Sequence, residues 1–203
     1  MLTLFGYLAV ASMLFEIIYM SIQAGRGRRS HFNFETSFEA IMYALMGVGG
    51  VLLVTISFIL GVMIWRQGNS KSATQGLFFG SVIGLVSGSV LTLVIAGYMS
   101  STMSHLVGET CNNINSAMLL GWSRTAGDLR ISHFLSTHLM QILALLGWLC
   151  DRYRLPAKST VVICSCILIS IAVATFIIAL LGTATILVKY LCVIKVSISI
   201  APL

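Results

Sequence analysis

The sequence predicts an all-α integral membrane protein, a bundle of five transmembrane helices. Two observations carry this expectation. Of the 203 residues 58% are hydrophobic, with a mean hydropathy of +0.99, and they fall into five long uninterrupted runs. A water-soluble domain of this size has no interior large enough to hide so much apolar surface. Crossing a hydrocarbon core of about 30 Å takes roughly 20 apolar residues as a helix. The runs at 2–24, 38–65, 76–99, 131–150 and 159–188 meet that length within a single membrane domain, residues 1–203. Continuous runs argue against a membrane barrel, whose strands alternate in polarity over about 10 residues.

The first run has no basic residue before it and is too long for a secretory leader, so it reads as a retained helix. The apolar tail from Val193 to Leu203 is too short to cross again. Between the third and fourth runs lies a longer polar loop, residues 100–130. Cys164 and Cys166 project to different sides of one helix, so no disulfide framework or metal-binding cysteine pair is expected.

The net charge of +6 does not indicate nucleic acid, because the basic residues are scattered among the connections rather than gathered in a stripe. They belong with the lipid bilayer. The face holding the first loop, the third loop and the C-terminus carries Arg26, Arg28, Arg29, Arg124, Arg130, Lys189 and Lys195. The other carries Arg66, Lys71, Arg152, Arg154 and Lys158. Under the positive-inside rule this excess favours an N-terminus outside.

Polar chemistry concentrates at the start of the fourth run. Asp128 is expected to cap that helix, its carboxylate accepting from the free N–H groups of the first turn. With His133 set at zero and about 100° per residue, Thr137 falls near 40°, Arg130 near 60°, Gln141 near 80° and His138 near 140°. These residues form a polar stripe opposite Ile131, Leu135, Leu139, Ile142 and Leu146. The two histidines diverge too far to hold one metal as an i, i+4 pair.

The first run offers a counterpart. Ser12, Glu16, Tyr19 and Gln23 recur at helical spacing on one face. An unpaired carboxylate at this depth costs about 2.5–3.5 kcal/mol on insertion scales, so Glu16 needs a partner. Glu16 and His138 both lie roughly 10–12 Å below the same membrane surface, and a contact between them is expected. His31, Glu35, His105 and Glu109 lie in loops at that surface, while Glu39 favours the positive start of the second helix. Every histidine of the chain therefore lies on or descends from one membrane face, and His133, His138, His31 and His105 are the candidate metal ligands.

The third run reads as packing material. Gly80, Gly84 and Gly88 make a smooth face, with Gly47, Gly49 and Gly50 of the second run as its expected partner.

The pattern Gly121-Trp122-Ser123, Gly127-Asp128-Leu129-Arg130, His133-Phe134, His138 and Gln141 resembles a motif of uncharacterised bacterial multi-spanning membrane proteins. The resemblance covers about a tenth of the chain. It implies a bacterial inner membrane and a shared site at Asp128, Arg130, His133, His138 and Gln141.

Three classes of function fit these residues. In the first, a pocket between the first, second and fourth helices binds a cofactor or small ligand, haem b or a quinone, in membrane redox chemistry. In that reading Arg130 holds an anionic group, His133 works near the surface, and Glu16 with His138 handles protons at depth. Asp128, Thr137, Tyr19 and Glu39 support the pocket. The second class is a proton-coupled transporter or relay. The third is a non-catalytic subunit meeting a membrane-protein partner or a second copy of itself through its glycine faces or tail. Ser132, Ser136 and Thr137 lie near the histidines, but no nucleophile elbow accompanies them.

Overall fold

The computed structural model describes residues 2–68, 74–108, 121–123 and 125–183. They form α1 (Leu2–Gly25), α2 (Ser37–Gln67), α3 (Gln75–Thr102), α4 (Leu129–Arg152) and α5 (Ala157–Leu180). Between α3 and α4 run two short strands, β1 (Leu106–Val107) and β2 (Gly127–Asp128). All five helices are long and apolar enough to cross a bilayer. The chain is an α-helical membrane protein.

The first three helices cover their expected spans, and α4 extends two residues further at each end. Two elements differ from expectation. The helix in the last span stops at Leu180 instead of running to 188, because Gly182 adopts φ +70° and turns the chain. Its N–H returns to Ala179 O (3.0 Å) and that of Thr183 to Ile178 O (3.4 Å), satisfying carbonyls that a continuing helix would have used. Residues 184–188 lie outside the described residues, as do Glu109, Arg124 and the tail. The polar loop is also not wholly irregular: its ends pair antiparallel, Leu106 with Asp128 and Val107 with Gly127.

The centre of the bundle is the α3–α4 pair, with α2 and α5 packed beside it. The glycine face of α3 makes that pair possible, but its partner is α4 and not the glycines of α2. A Cβ on Gly84 would lie 2.8 Å from Leu139 O, and one on Gly88 3.0 Å from Ser136 O. Gly147 answers from α4, packed on the backbone of Gly76. Close approach needs a bare surface on both helices, and α4 provides it at Gly147, Ala144 and Ser136. Asp151 fixes the far end of the pair. Its carboxylate accepts from Gly76 N (2.9 Å) and Leu77 N (2.7 Å), and from the Thr74 hydroxyl, capping α3 from another helix.

The first helix is peripheral. It packs along α2, where Gly49 meets Ser12, and shares no comparable face with α3 or α4 among the described residues. Most of its large apolar side chains, including Leu4, Val10, Met13, Ile17 and Ile18, are exposed for contact with lipid.

Candidate functional site

The site begins with the connection between α1 and α2. Gly27, at φ +64°, ends α1 and lets Arg28 N–H reach back to Gln23 O (2.9 Å). Thr36 caps α2 by accepting from Glu39 N (3.2 Å). Between them Asn33 donates to Arg29 O (2.9 Å) and accepts from Glu35 N (3.1 Å). Phe32 takes the left-handed conformation, φ +52°, which costs free energy for a side chain of its size. Its ring lies 5.3 Å from that of Tyr43 and 6.2 Å from that of His105.

A buried polar cluster anchors this loop. Glu39, 2% exposed, accepts from Arg28 Nη1 (3.0 Å), the Thr36 hydroxyl (3.3 Å) and Gln23 Nε2 (3.5 Å). Gln23 also donates to the buried Tyr19 hydroxyl (2.8 Å). Tyr19 and Glu39, expected as support for the pocket, are outside the cleft lining and hold the loop whose His31 and Phe32 line it. The helix-dipole role expected of Glu39 is joined by an ion pair to Arg28.

Beneath the loop is a cleft of about 500 Å³. Glu16 of α1 lines it, together with His31 and Phe32 of the loop, Tyr43, Met46, Gly47 and Gly50 of α2, and Thr92, Ala96 and Gly97 of α3. His133 and Thr137 are the contribution of α4. The third helix is therefore a wall of the site as well as packing material. Glu16, Thr92 and Thr137 lie about 12–15 Å below the ends of their helices, at the depth of the acyl chains. α1 and α4, which both line the cleft, share no extensive packed face among the described residues.

The expected Glu16–His138 contact does not form. Glu16 Oε1 lies 3.7 Å from His31 Nε2, so the loop and not α4 provides its neighbour. His138 Nδ1 lies 2.8 Å from Phe134 O and its ring stacks on Phe134 at 4.0 Å. Depth along the helix matched, but direction around it did not. His138 sits about 140° from His133, and His133 is the one that faces the cleft.

Arg130 and Gln141 are also outside the cleft lining. Gln141 is exposed, and Arg130 donates through Nε (2.9 Å) and Nη2 (2.6 Å) to Asp128 and through Nη2 to Gly121 O (2.7 Å). Asp128 caps α4 by accepting from Arg130 N (3.1 Å) and also accepts from Ser123 N (2.8 Å). Trp122 packs edge-on against Phe134 at 5.9 Å. Most of the motif thus builds the outer corner where the third loop joins α4, and only His133 and Thr137 of this region reach the cleft.

His105 lies outside the membrane-spanning segments and beside Phe32 of that loop. Burial holds its imidazole below the ordinary value of 6.5, with the positive charge of Arg130 adding to the effect. Above that value the ring is neutral in both folded and unfolded chains and contributes no pH dependence. As pH falls below it the unfolded chain protonates first, so stability is lost down to the folded pKa. Thermal melts between pH 7.5 and 5 are expected to show this loss in wild type and less of it in His105→Phe. Equal slopes would remove His105 as the cause.

Three buried polar side-chain atoms among the described residues lack hydrogen-bond partners. Thr92 Oγ1 and His133 Nδ1 belong to residues that line the cleft, and Ser89 Oγ sits about one turn along α3 from Thr92. Buried polar atoms are nearly always satisfied, so unpaired ones at a cavity mark where a ligand or water would bond. Neither Thr92 nor Ser89 was expected here, because a lone hydroxyl in an apolar helix has a common alternative, bonding its own backbone. Among the described residues no three His, Cys, Asp or Glu side chains converge as metal ligands. The chemistry available is hydrogen bonding by an imidazole and a hydroxyl, proton exchange at the Glu16–His31 pair, and apolar contact elsewhere. Comparison with protein-family models, with curated proteins and with solved structures gives no match.

Proposed function

We propose that the protein binds a lipid-phase redox cofactor of the quinone type in this cleft. It would lie in a bacterial inner membrane with its N-terminus outside, placing the cleft in the cytoplasmic leaflet. The observation that carries the reading is a largely apolar cleft between membrane-spanning helices whose lining includes Thr92 and His133, each with a buried polar atom left unsatisfied. A cavity of about 500 Å³ is ordinary for a small-molecule site, where a few polar groups orient a mostly apolar ligand. A quinone carries ring oxygens for such groups to bond and a tail that belongs in lipid. When bound it supplies coupled electron and proton exchange. The chain's part is to orient the ring through Thr92 and His133 and to hold or pass a proton at Glu16 Oε1 and His31 Nε2.

Haem b is the second reading, favoured by one fact: His31 from the loop and His133 from α4 line the same cleft. An oxidised and a reduced absorption spectrum of the detergent-purified protein separates the two, since only haem gives a Soret band. Mass spectrometry of an organic extract identifies a retained quinone. Titration with decylubiquinone, followed by tryptophan fluorescence, is expected to give saturable binding. Each hydrogen bond is worth about 1–1.5 kcal/mol, so His133→Ala and Thr92→Val should each weaken binding by about tenfold. His138→Ala should leave it within about twofold, because that ring faces elsewhere. The opposite order, with His138→Ala damaging and His133→Ala silent, would falsify the assignment.

A further inference from the structure

The glycines of the helices divide by what a side chain would meet. At Gly76, Gly80, Gly84 and Gly147 it would strike backbone atoms of the neighbouring helix, which explains why nothing larger fits. At Gly47, Gly50 and Gly97, which line the cleft, an added Cβ would meet nothing within 4 Å. None of these three has a positive φ. Glycine weakens a helix interior relative to alanine, so a position that needs neither close packing nor unusual backbone geometry has no folding reason for it.

What the missing side chains do is leave bare backbone on two walls of the cleft. The same cleft contains Thr92, 2% exposed, with its hydroxyl unpartnered. A methyl group projecting from either wall would enter the open space of the cleft that Thr92 and His133 also line.

We infer that Gly47, Gly50 and Gly97 are the specificity-determining wall of the site, keeping it flat and open for the face of a planar ring. The inference rests on the reading of the cleft as a lipid-phase ligand site and names the ligand's shape. A ring lies against glycine backbone in van der Waals contact over its whole face, whereas a branched head group gains little from a flat wall. The ring oxygens then meet Thr92 and His133 at its edge.

The test uses Gly47→Ala, Gly50→Ala and Gly97→Ala in the full chain, purified in detergent, with decylubiquinone as the probe. Stability and binding should move in opposite directions. Each added methyl enters open space and favours the helix, so the melting temperature should hold or rise by about 1–3 °C. Probe affinity should fall by about fivefold or more for at least two of the three, and further when they are combined. Lower melting temperatures would mean the glycines serve packing, and unchanged affinity would mean the wall does not touch the ring; either overturns the inference. If wild type binds the probe and His133→Ala weakens it while the alanine variants bind normally, the wall alone is wrong. If wild type does not bind it, the quinone reading and the wall fail together.

Discussion

Gly80→Ala is expected to destabilise the protein by about 2–3 kcal/mol, the usual range for forcing a group into a packed interface. The melting temperature should fall by roughly 5–10 °C on the scaling for a chain of this size. The added methyl would strike Leu143 O, a backbone atom in the middle of α4 that cannot rotate aside as a side-chain tip can. Relief requires α3 and α4 to separate, and the pair resists because it is held elsewhere along its length. Gly84 and Gly88 keep the helices close on one side of the contact. On the other, Gly147 lies on Gly76, and Asp151 accepts from Gly76 N and Leu77 N. Alanine's better helix propensity offsets only up to about 1 kcal/mol of the strain. The control is Gly47→Ala, the same chemical change in open space, which should not lower the melting temperature. Equal melts for Gly80→Ala and wild type would mean that the two helices can part without loss, contrary to their packing.

The contrast between these glycines also marks how far the sequence could be read. Five spans were legible because length and apolarity are properties of each run alone. The smooth face of α3 was legible too, but not its partner, since α2 and α4 both carry small residues and spacing does not choose between them. Gly182 ended α5 through a positive φ, which the apolar run around it does not disclose. The helical wheel put Thr137 close to His133, and both line the cleft, yet the same stripe included Arg130 and Gln141, which do not. Matching depths suggested a partner for Glu16 without fixing the direction of His138. His31 occupies that place from a loop that turns left-handed at Phe32, and an ordinary phenylalanine in a loop gives no sign of such a turn. Thr92 had no signal at all, since its role depends on which hydroxyl is left unpartnered after packing.

Asp128→Ala is expected to cost about 3 kcal/mol, the scale for leaving buried donors and a charged partner without their acceptor. The carboxylate side chain is 0% exposed and accepts from Ser123 N, Arg130 N and the Arg130 guanidinium. It therefore caps α4 and fixes the last turn of the third loop to it. Relaxation is restricted on the adjoining side, where Gly127 lies against Ala179 O of α5 too closely for a side chain. The partner residue gives a sharper comparison. Arg130 is 38% exposed, so its own charge remains partly hydrated, and Arg130→Ala retains both backbone donors to Asp128. That variant leaves the buried carboxylate only its two backbone donors and should cost about 1–2 kcal/mol, less than Asp128→Ala. Asp128→Asn should fall between them, since its amide oxygen still accepts from the backbone while its NH₂ group opposes Arg130. Thermal melts rank the three, and hydrogen exchange at the Ser123 and Arg130 amides locates the damage. If Arg130→Ala proves as costly as Asp128→Ala, the ion pair and not the backbone anchoring holds this corner. If the ranking stands, Asp128 and Arg130 act mainly by fixing the start of α4, from which His133 descends one turn into the cleft.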